Sequence, residues 1–189
     1  MIRSLISCYQ YTFSILVDGL LKDYIEKIFQ PFVKSELSKV KRLDAVWDRY
    51  FSNSLKQSTR EKRTLNEITQ EQRVCDTTPI PSNWESFLRN EKNNVELFYY
   101  LSESMKTFET NEKVLVTTDG ERAVVCSQTN IMDMESLQDC KHEEADTRIL
   151  LHVANCALQG YKRIAIQTID TDVVVLAVAH FQYLDIEEL

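Results

Sequence analysis

The stretch that decides the fold is KHEEADTRILLHVANCALQGYKRIAIQTIDTDVVVLAV, residues 141–178. Residues 142–158 carry apolar side chains at helical spacing, and Gly160 follows where a helix C-cap is expected. Residues 163–169 predict a strand. Residues 173–180 are ambiguous: their β-branched residues favour a strand, but a strand of a parallel sheet needs a helix after it, so we favour a second helix. The stretch therefore predicts a helix–strand–helix unit of an α/β protein.

The same alternation runs through the rest of the chain. Short apolar runs at 13–17 and 43–47 predict strands, and residues 20–38 predict a helix that Pro31 kinks or breaks. Further helices are predicted at 54–69, from 83 or 84 onward with Ser82 as the cap, and at 94–108. Residues 114–125 predict a hairpin that turns at Asp119-Gly120. This order predicts an α/β layer fold with a mainly parallel sheet, in one domain over residues 1–189.

Charge is distributed unevenly along the chain. The whole sequence carries a net charge of −7, which argues against nucleic-acid binding by its entire surface. Residues 34–63, however, contain nine basic and four acidic residues. Such a strip can hold a phosphate backbone locally, although a solvated helix face gives the same pattern.

Cysteine usage and hydropathy indicate an intracellular protein, in the nucleus or the cytoplasm. The five cysteines are widely spaced and form no CxxC pair, so we expect reduced thiols. No apolar run approaches the roughly 18 residues of a membrane span, and the N-terminal residues do not read as a signal peptide. We expect no membrane partner.

Acidic residues recur where the predicted strands end and where one helix begins. The positions after strands are Asp18, Asp48, Asp170 and Asp172, and those at the helix start are Glu144 and Asp146. Carboxyl ends of parallel strands meet at one edge, where α/β proteins bind ligands. Carboxylates without a thiolate or imidazole set suit Mg²⁺ or Mn²⁺. The alternative for each residue is a helix cap or a favourable dipole interaction.

These residues resemble the core of PIN-like nucleases of the flap-endonuclease or 5′-nuclease type. ILVD at 15–18 resembles the first strand with its metal-site Asp, and VWD at 46–48 resembles a second ligand-bearing strand. EAD at 144–146 resembles the Glu-Ala-Glu motif, and TIDTD at 168–172 resembles the later Asp-x-Asp. The segment HEEADTR…DTDVVVLAVA is also similar to that of long, uncharacterised invertebrate proteins.

The resemblance implies a three-layer fold with helices on both faces of the sheet. It implies that Asp18, Asp48, Glu144, Asp146, Asp170 and Asp172 hold two Mg²⁺ or Mn²⁺ ions. Lys56 and Arg63, seven apart on the next predicted helix, resemble the family's Lys and Arg that hold the cleaved phosphate. Arg60, four residues after Lys56, shares their helix face, and the three would neutralise charge that develops on the phosphate. The sequence departs from the family where Asp146 replaces Glu and where Arg49 follows Asp48. The family also continues past the Asp-x-Asp motif, so the resemblance implies a domain that is incomplete at Leu189.

Three hypotheses follow for the function. The first is hydrolysis of DNA or RNA phosphodiester bonds by a two-metal mechanism. The second is a catalytically inactive nucleic-acid-binding scaffold that keeps the nuclease fold. The third is a protein-interaction module in which the carboxylates are structural caps and do not converge. The sequence leaves the choice of nucleic acid and the oligomeric state open.

Overall fold

The computed structural model describes residues 2–6, 18–48, 71–127, 134–138, 145–168 and 170–189, with the backbone alone for 2–6. The strands are β1 (Ile2–Ile6), β2 (Arg42–Val46), β3 (Val114–Asp119), β4 (Arg122–Val125) and β5 (Ile164–Gln167). The helices are α1 (Leu21–Tyr24), α2 (Gln30–Ser38), α3 (Trp84–Leu88), α4 (Glu91–Lys106), α5 (Ala145–Leu158) and α6 (Thr171–Phe181). A π-helical segment, Ile25–Phe29, joins α1 to α2, and Glu135–Leu137 forms a 3₁₀ turn.

The strands form one mixed sheet in the order β4-β3-β2-β1-β5. β1 pairs in parallel with β2 and with β5, and β2 pairs in parallel with β3. β4 pairs antiparallel with β3 through a tight turn at Gly120 and Glu121. The predicted α/β class is confirmed, and the sheet is flanked by helices.

The two faces of β2 pack against different helices. Leu43, Ala45 and Trp47 belong to the larger apolar cluster, with side chains from the α1–α2 segment and α4. Val46 instead packs with α5 residues such as Ile149 and Val153. Alternate residues of a strand point to opposite faces, so α5 and α4 lie on opposite sides of β2.

Pro31 changes the helix type without ending the helix. The predicted helix runs over nearly its full length, but residues Ile25–Phe29 adopt π-helical hydrogen bonding directly before α2. Proline has no N–H, and its ring collides with the carbonyl four residues earlier, which is Lys27. A wider turn at this point accommodates both effects.

Several local predictions are corrected by the structure. The N-cap of α3 is Asn83, which accepts a hydrogen bond from the Ser86 N–H, and not Ser82. Asp119 belongs to β3 and pairs with Arg122, so the turn lies one residue later than predicted. Gly160 does end α5, with φ at +82°. The predicted strand at 13–17 and the basic helix at 54–69 lie outside the described residues.

No helix in the described ranges is both long and apolar enough to cross a membrane.

Candidate functional site

The carboxyl edge of the parallel strands is where the predicted site residues were expected to meet. The parallel pairings bring the ends of β1, β2, β3 and β5 to the same edge of the sheet. Asp48 follows β2, Asp119 ends β3, and Asp170 and Asp172 follow β5. The described part of the sheet therefore carries carboxylates after three of its parallel strands.

Asp48 is held at this edge by its neighbour Trp47. The Trp47 N–H donates to Thr118 Oγ1 at 3.0 Å, and the indole Nε1–H donates to Thr117 Oγ1 at 2.9 Å. The Trp47 ring stacks on Phe98 with centroids 5.4 Å apart. These contacts fix the backbone at the end of β2. The side chain of the next residue, Asp48, is exposed.

Asp48 and Asp119 line one cavity of about 240 Å³. Trp47, Phe98 and Tyr99 supply its aromatic wall. Asp119 Oδ2 accepts a hydrogen bond from Lys106 Nζ at 2.8 Å, and Lys106 also pairs with Glu103. Asp119, which the sequence reasoning placed only in a turn, is thus a second acidic group beside Asp48.

Asp170 and Asp172 form the start of α6. Asp170 is the N-cap, and its Oδ1 accepts the Asp172 N–H at 2.8 Å. The Asp170 N–H in turn donates to Thr168 Oγ1 at 3.0 Å. Both carboxylates are exposed. The alternative role as a helix cap is therefore realised for Asp170, and Asp172 lies in the first turn, where the helix dipole favours it.

Asp146 lies in the first turn of α5, where its Oδ1 accepts the Thr147 N–H at 3.1 Å. Nearby, Arg148 Nη1 donates to the Gly120 carbonyl at 2.6 Å. Gly120 is in the turn after β3, so this bond places the start of α5 at the carboxyl edge. The structure thus positions Asp146 at the predicted edge of the sheet, while Glu144 lies outside the described residues.

Asp18 is exposed and directly precedes Gly19 and α1. The strand that was expected to end at Asp18 lies outside the described residues, and the first strand described is β1. Leu20, two residues after Asp18, forms an antiparallel bridge with Pro79. Lys56, Arg60 and Arg63 also lie outside the described ranges.

The described acidic residues share an edge but do not form one cluster. β1 separates β2 from β5, so strands spaced about 4.8 Å apart put the ends carrying Asp48 and Asp170 about 10 Å apart. Within the described residues, no three Asp, Glu, His or Cys side chains group closely enough to hold a metal ion. Convergence of all six predicted ligands, Glu144 included, stays a prediction.

The sequence reasoning missed a buried polar network between β2 and α5. Arg42 binds Asp44 in a bidentate pair, with both N–O distances 2.7 Å. His152 Nδ1 lies 2.7 Å from Asp44 Oδ2. Arg42 Nη1 also donates to Asn155 Oδ1 and to Gln159 Oε1, at 2.9 Å each. Arg42 and Asp44 are fully buried, so the network joins the strand to the helix in the protein interior.

This network determines the protonation of its carboxylate. Burial by itself raises the pKa of Asp44, but the hydrogen bond from His152 and the charge and hydrogen bonds of Arg42 outweigh burial. The pKa of Asp44 therefore lies below its usual range. The ionised form is stabilised by folding, so its contribution to stability is present at neutral pH and is lost as the pH falls below about 3.9.

A signal for this network was present in the sequence. Arg42 and Asp44 are two apart in an otherwise apolar strand, which places both on one face. Arg148, His152 and Asn155 recur at helical spacing in α5, and all three are buried. The helical spacing of apolar residues in 142–158 predicts an inward face but does not include these three polar residues, which the structure places in the same interior.

A separate feature is the thiol of Cys75, in the loop before α3. The hydroxyl oxygens of Thr77 and Thr78 lie 3.4 and 3.2 Å from its Sγ. Hydrogen bonding with the Thr77 hydroxyl, and to a smaller extent with the Thr78 hydroxyl, lowers the pKa of the Cys75 thiol to about 7. Burial raises the pKa of Cys126 to about 12 and also raises that of Cys156. Among the described cysteines, Cys75 is thus the one that ionises near neutral pH.

We expect iodoacetamide to modify Cys75 much faster than Cys126 or Cys156 in the folded protein at pH 7. The thiolate is the reactive species, and half of Cys75 is ionised near this pH. Peptide mass spectrometry over a pH series should give half-maximal reactivity of Cys75 near pH 7. Thr77→Val should move that midpoint upward, and an unmoved midpoint would contradict the role given to the Thr77 hydroxyl.

Comparison of the chain with known protein families, with curated proteins and with solved structures gave no match.

Proposed function

We propose that the chain is a three-layer, PIN-like nuclease domain that hydrolyses phosphodiester bonds of DNA or RNA with divalent metal ions. The observation that carries the proposal is the placement of Asp48, Asp146, Asp170 and Asp172 at one edge of an α/β sheet. Ligand sites of parallel α/β sheets lie at this carboxyl edge.

The donor chemistry of this edge fits Mg²⁺ or Mn²⁺. The side chains are carboxylates, which are the hard oxygen ligands that these ions prefer. Asp48, Asp170 and Asp172 are exposed, so an ion from solvent can reach them. Asp18 and Glu144 complete the proposed set. A bound divalent ion would activate water and stabilise the leaving oxygen.

Other residues of the chain would orient the proposed ligands and bind the substrate. Cap bonding at α6 uses Oδ1 of Asp170, and this bond holds the carboxylate in a fixed orientation at the edge. The bond from Arg148 to the Gly120 carbonyl and the buried Arg42–Asp44–His152 network fix α5, and with it Asp146. Lys56, Arg60 and Arg63 would attract the phosphate backbone and neutralise charge that develops during cleavage.

A second candidate is a nucleic-acid-binding scaffold without catalysis. Two observations favour it: Asp170 already serves as a helix cap, and Asp119 is paired with Lys106. Carboxylates with structural partners do not need an ion. The two candidates differ in their dependence on metal and in turnover.

We expect the protein to cleave labelled single-stranded or flapped DNA or RNA in Mg²⁺ or Mn²⁺. Cleavage should stop when EDTA is added and return when excess metal is restored, because the carboxylates need an ion to act. Gel electrophoresis of the products measures both steps. Binding of the same oligonucleotides without cleavage, unchanged by EDTA, would support the scaffold and contradict the nuclease.

A further inference from the structure

The cavity beside Asp48 has an aromatic floor and an aromatic rim. Trp47 and Phe98 are buried and stack with their ring planes 18° apart. Tyr99 is 58% exposed, and Val95, one turn earlier on α4, is 46% exposed, and both line the same cavity. Exposed large apolar side chains on a protein surface are usually scattered singly. Here they border one cavity, which therefore offers flat apolar surface to a planar ligand.

Several hydrogen-bond donors of the cavity wall are used within the protein. The two N–H groups of Trp47 donate to threonine hydroxyl oxygens. The Ser102 hydroxyl donates to the Thr118 carbonyl at 3.3 Å. Among the described residues that line the cavity, the charged groups are the carboxylates of Asp48 and Asp119. The cavity therefore favours a ligand group that presents N–H donors and carries no negative charge.

The Asp119 carboxylate is held at the cavity by Lys106. Lys106 Nζ donates to Asp119 Oδ2 at 2.8 Å and also pairs with Glu103. An ionised carboxylate has about four lone-pair sites, so Asp119 can accept two further hydrogen bonds beside the one from Lys106. Two neighbouring N–H donors on one edge of a ring would match it in the bidentate manner.

Guanine is the nucleobase that presents such a pair of donors, because its N1–H and its 2-amino group are neighbours on the Watson–Crick edge. Adenine and cytosine place a ring-nitrogen acceptor beside their amino group, and thymine and uracil place carbonyl acceptors on both sides of their N–H. A carboxylate repels these acceptors. The cavity, at about 240 Å³, is smaller than the roughly 300–1,000 Å³ of sites for drug-sized ligands, which suits a single base.

We infer, on the basis of the proposed function, that this cavity binds an unpaired guanine of a single-stranded nucleic-acid substrate. Asp119 would accept hydrogen bonds from the Watson–Crick edge of the base, and Tyr99 would stack on its face. The base has to be unpaired, since pairing occupies the edge that Asp119 contacts. Asp48 lines the cavity and is also a proposed metal ligand, so the bound guanine would belong to a nucleotide next to the cleaved bond.

Equilibrium binding in EDTA tests the cavity apart from catalysis. Fluorescence anisotropy would compare short labelled strands, of thymidine as DNA and of uridine as RNA, that carry one central guanine, hypoxanthine or adenine. Hypoxanthine keeps N1–H but lacks the 2-amino group. In at least one of the two sets, we expect the guanine strand to bind about tenfold more tightly than the adenine strand, with hypoxanthine between them. Equal binding of the three strands, or no binding, would overturn the inference.

Matched variants identify the residues responsible. Asp119→Asn replaces the carboxylate by an amide with one donor and one acceptor side, and it should remove the preference for guanine. Glu103→Gln is the control, because Glu103 also pairs with Lys106 but does not line this cavity, and it should keep the preference. Tyr99→Ala should weaken binding of the guanine strand by about tenfold, whereas Tyr99→Phe should preserve it. Equal effects of Asp119→Asn and Glu103→Gln would contradict the assignment.

Mapping of cleavage products in Mn²⁺ separates this inference from the proposed function. Cleavage next to guanines would support both. Cleavage next to all bases alike, together with equal binding of the three strands, would leave the nuclease in place and overturn the guanine site. Guanine-selective binding without cleavage would support the guanine site and contradict the nuclease.

Discussion

Replacing Asp44 by alanine is expected to lower the free energy of unfolding by about 3–5 kcal/mol, the usual cost of breaking a buried ion pair. The substitution leaves the fully buried Arg42 guanidinium without its carboxylate. Among the residues that the structure describes, the side-chain oxygens of Asn155 and Gln159 are the acceptors that would remain for Arg42. Equilibrium unfolding in urea, followed by circular dichroism, measures the loss.

The matched control replaces both members of the pair, as Arg42→Met with Asp44→Leu. Apolar residues of similar volume often substitute for a buried pair at little cost, so the double variant should be more stable than Asp44→Ala alone. Ordinary surface substitutions change the free energy of unfolding by no more than about 0.5 kcal/mol. A change this small for Asp44→Ala would show that the network does not stabilise the packing of α5 on β2.

Replacing Asp170 and Asp172 together by asparagine is expected to abolish metal-dependent cleavage. The change removes two negative charges from the carboxyl edge but keeps side chains that can cap a helix, because asparagine is as good an N-cap as aspartate. We expect a loss of rate on the order of 10²–10³-fold or more, as for the removal of other preorganised electrostatic groups. Cleavage rates of the wild type and the variant, measured on gels at the same Mn²⁺ concentration, give this ratio.

The control for this variant removes two carboxylates from the opposite edge of the sheet. Glu109 and Glu112 are exposed and lie directly before β3, at its amino end. Glu109→Gln with Glu112→Gln lowers the net negative charge by the same amount, and it should leave cleavage unchanged. Equal rates for wild type and the Asp170→Asn, Asp172→Asn variant would show that these two carboxylates are not ligands.

The elements near residues 141–178 were predictable because their signals are local. Helical spacing, the glycine after α5 and the valine-rich run gave α5, β5 and α6 nearly at their observed bounds. The β-branched residues at 173–180 alone favour a strand. A helix is predicted there only because a strand of a parallel sheet needs a crossover helix after it. The structure confirms that choice with α6 at Thr171–Phe181.

Other features depend on contacts that one-dimensional patterns do not contain. The type of helix before Pro31 depends on how the chain relieves a clash with the Lys27 carbonyl. Asn83 and Ser82 are both good caps, and only the path of the backbone selects between them. The pairing of Asp44 with His152 joins residues 108 positions apart, so spacing along the chain can indicate a shared face but not the partners.

The candidate site could also be predicted only in part from the sequence. The sequence placed carboxylates at the ends of strands, and the structure puts Asp48 and Asp170 at one edge of the sheet. It could not indicate that Asp119 shares a cavity with Asp48, because that depends on β3 lying next to β2. It also could not separate a ligand from a cap at Asp170, since both roles use the same carboxylate.

Binding of Mn²⁺ tests most directly whether this edge holds metal ions. The electron paramagnetic resonance signal of free Mn²⁺ would be followed during titration of the wild-type chain and of the two double variants. We expect saturable binding by the wild type and by the Glu109→Gln, Glu112→Gln variant, and loss of binding by the Asp170→Asn, Asp172→Asn variant, if the carboxyl edge holds the ions. Mn²⁺ binding that is the same in all three proteins, or absent from the wild type, would contradict this expectation.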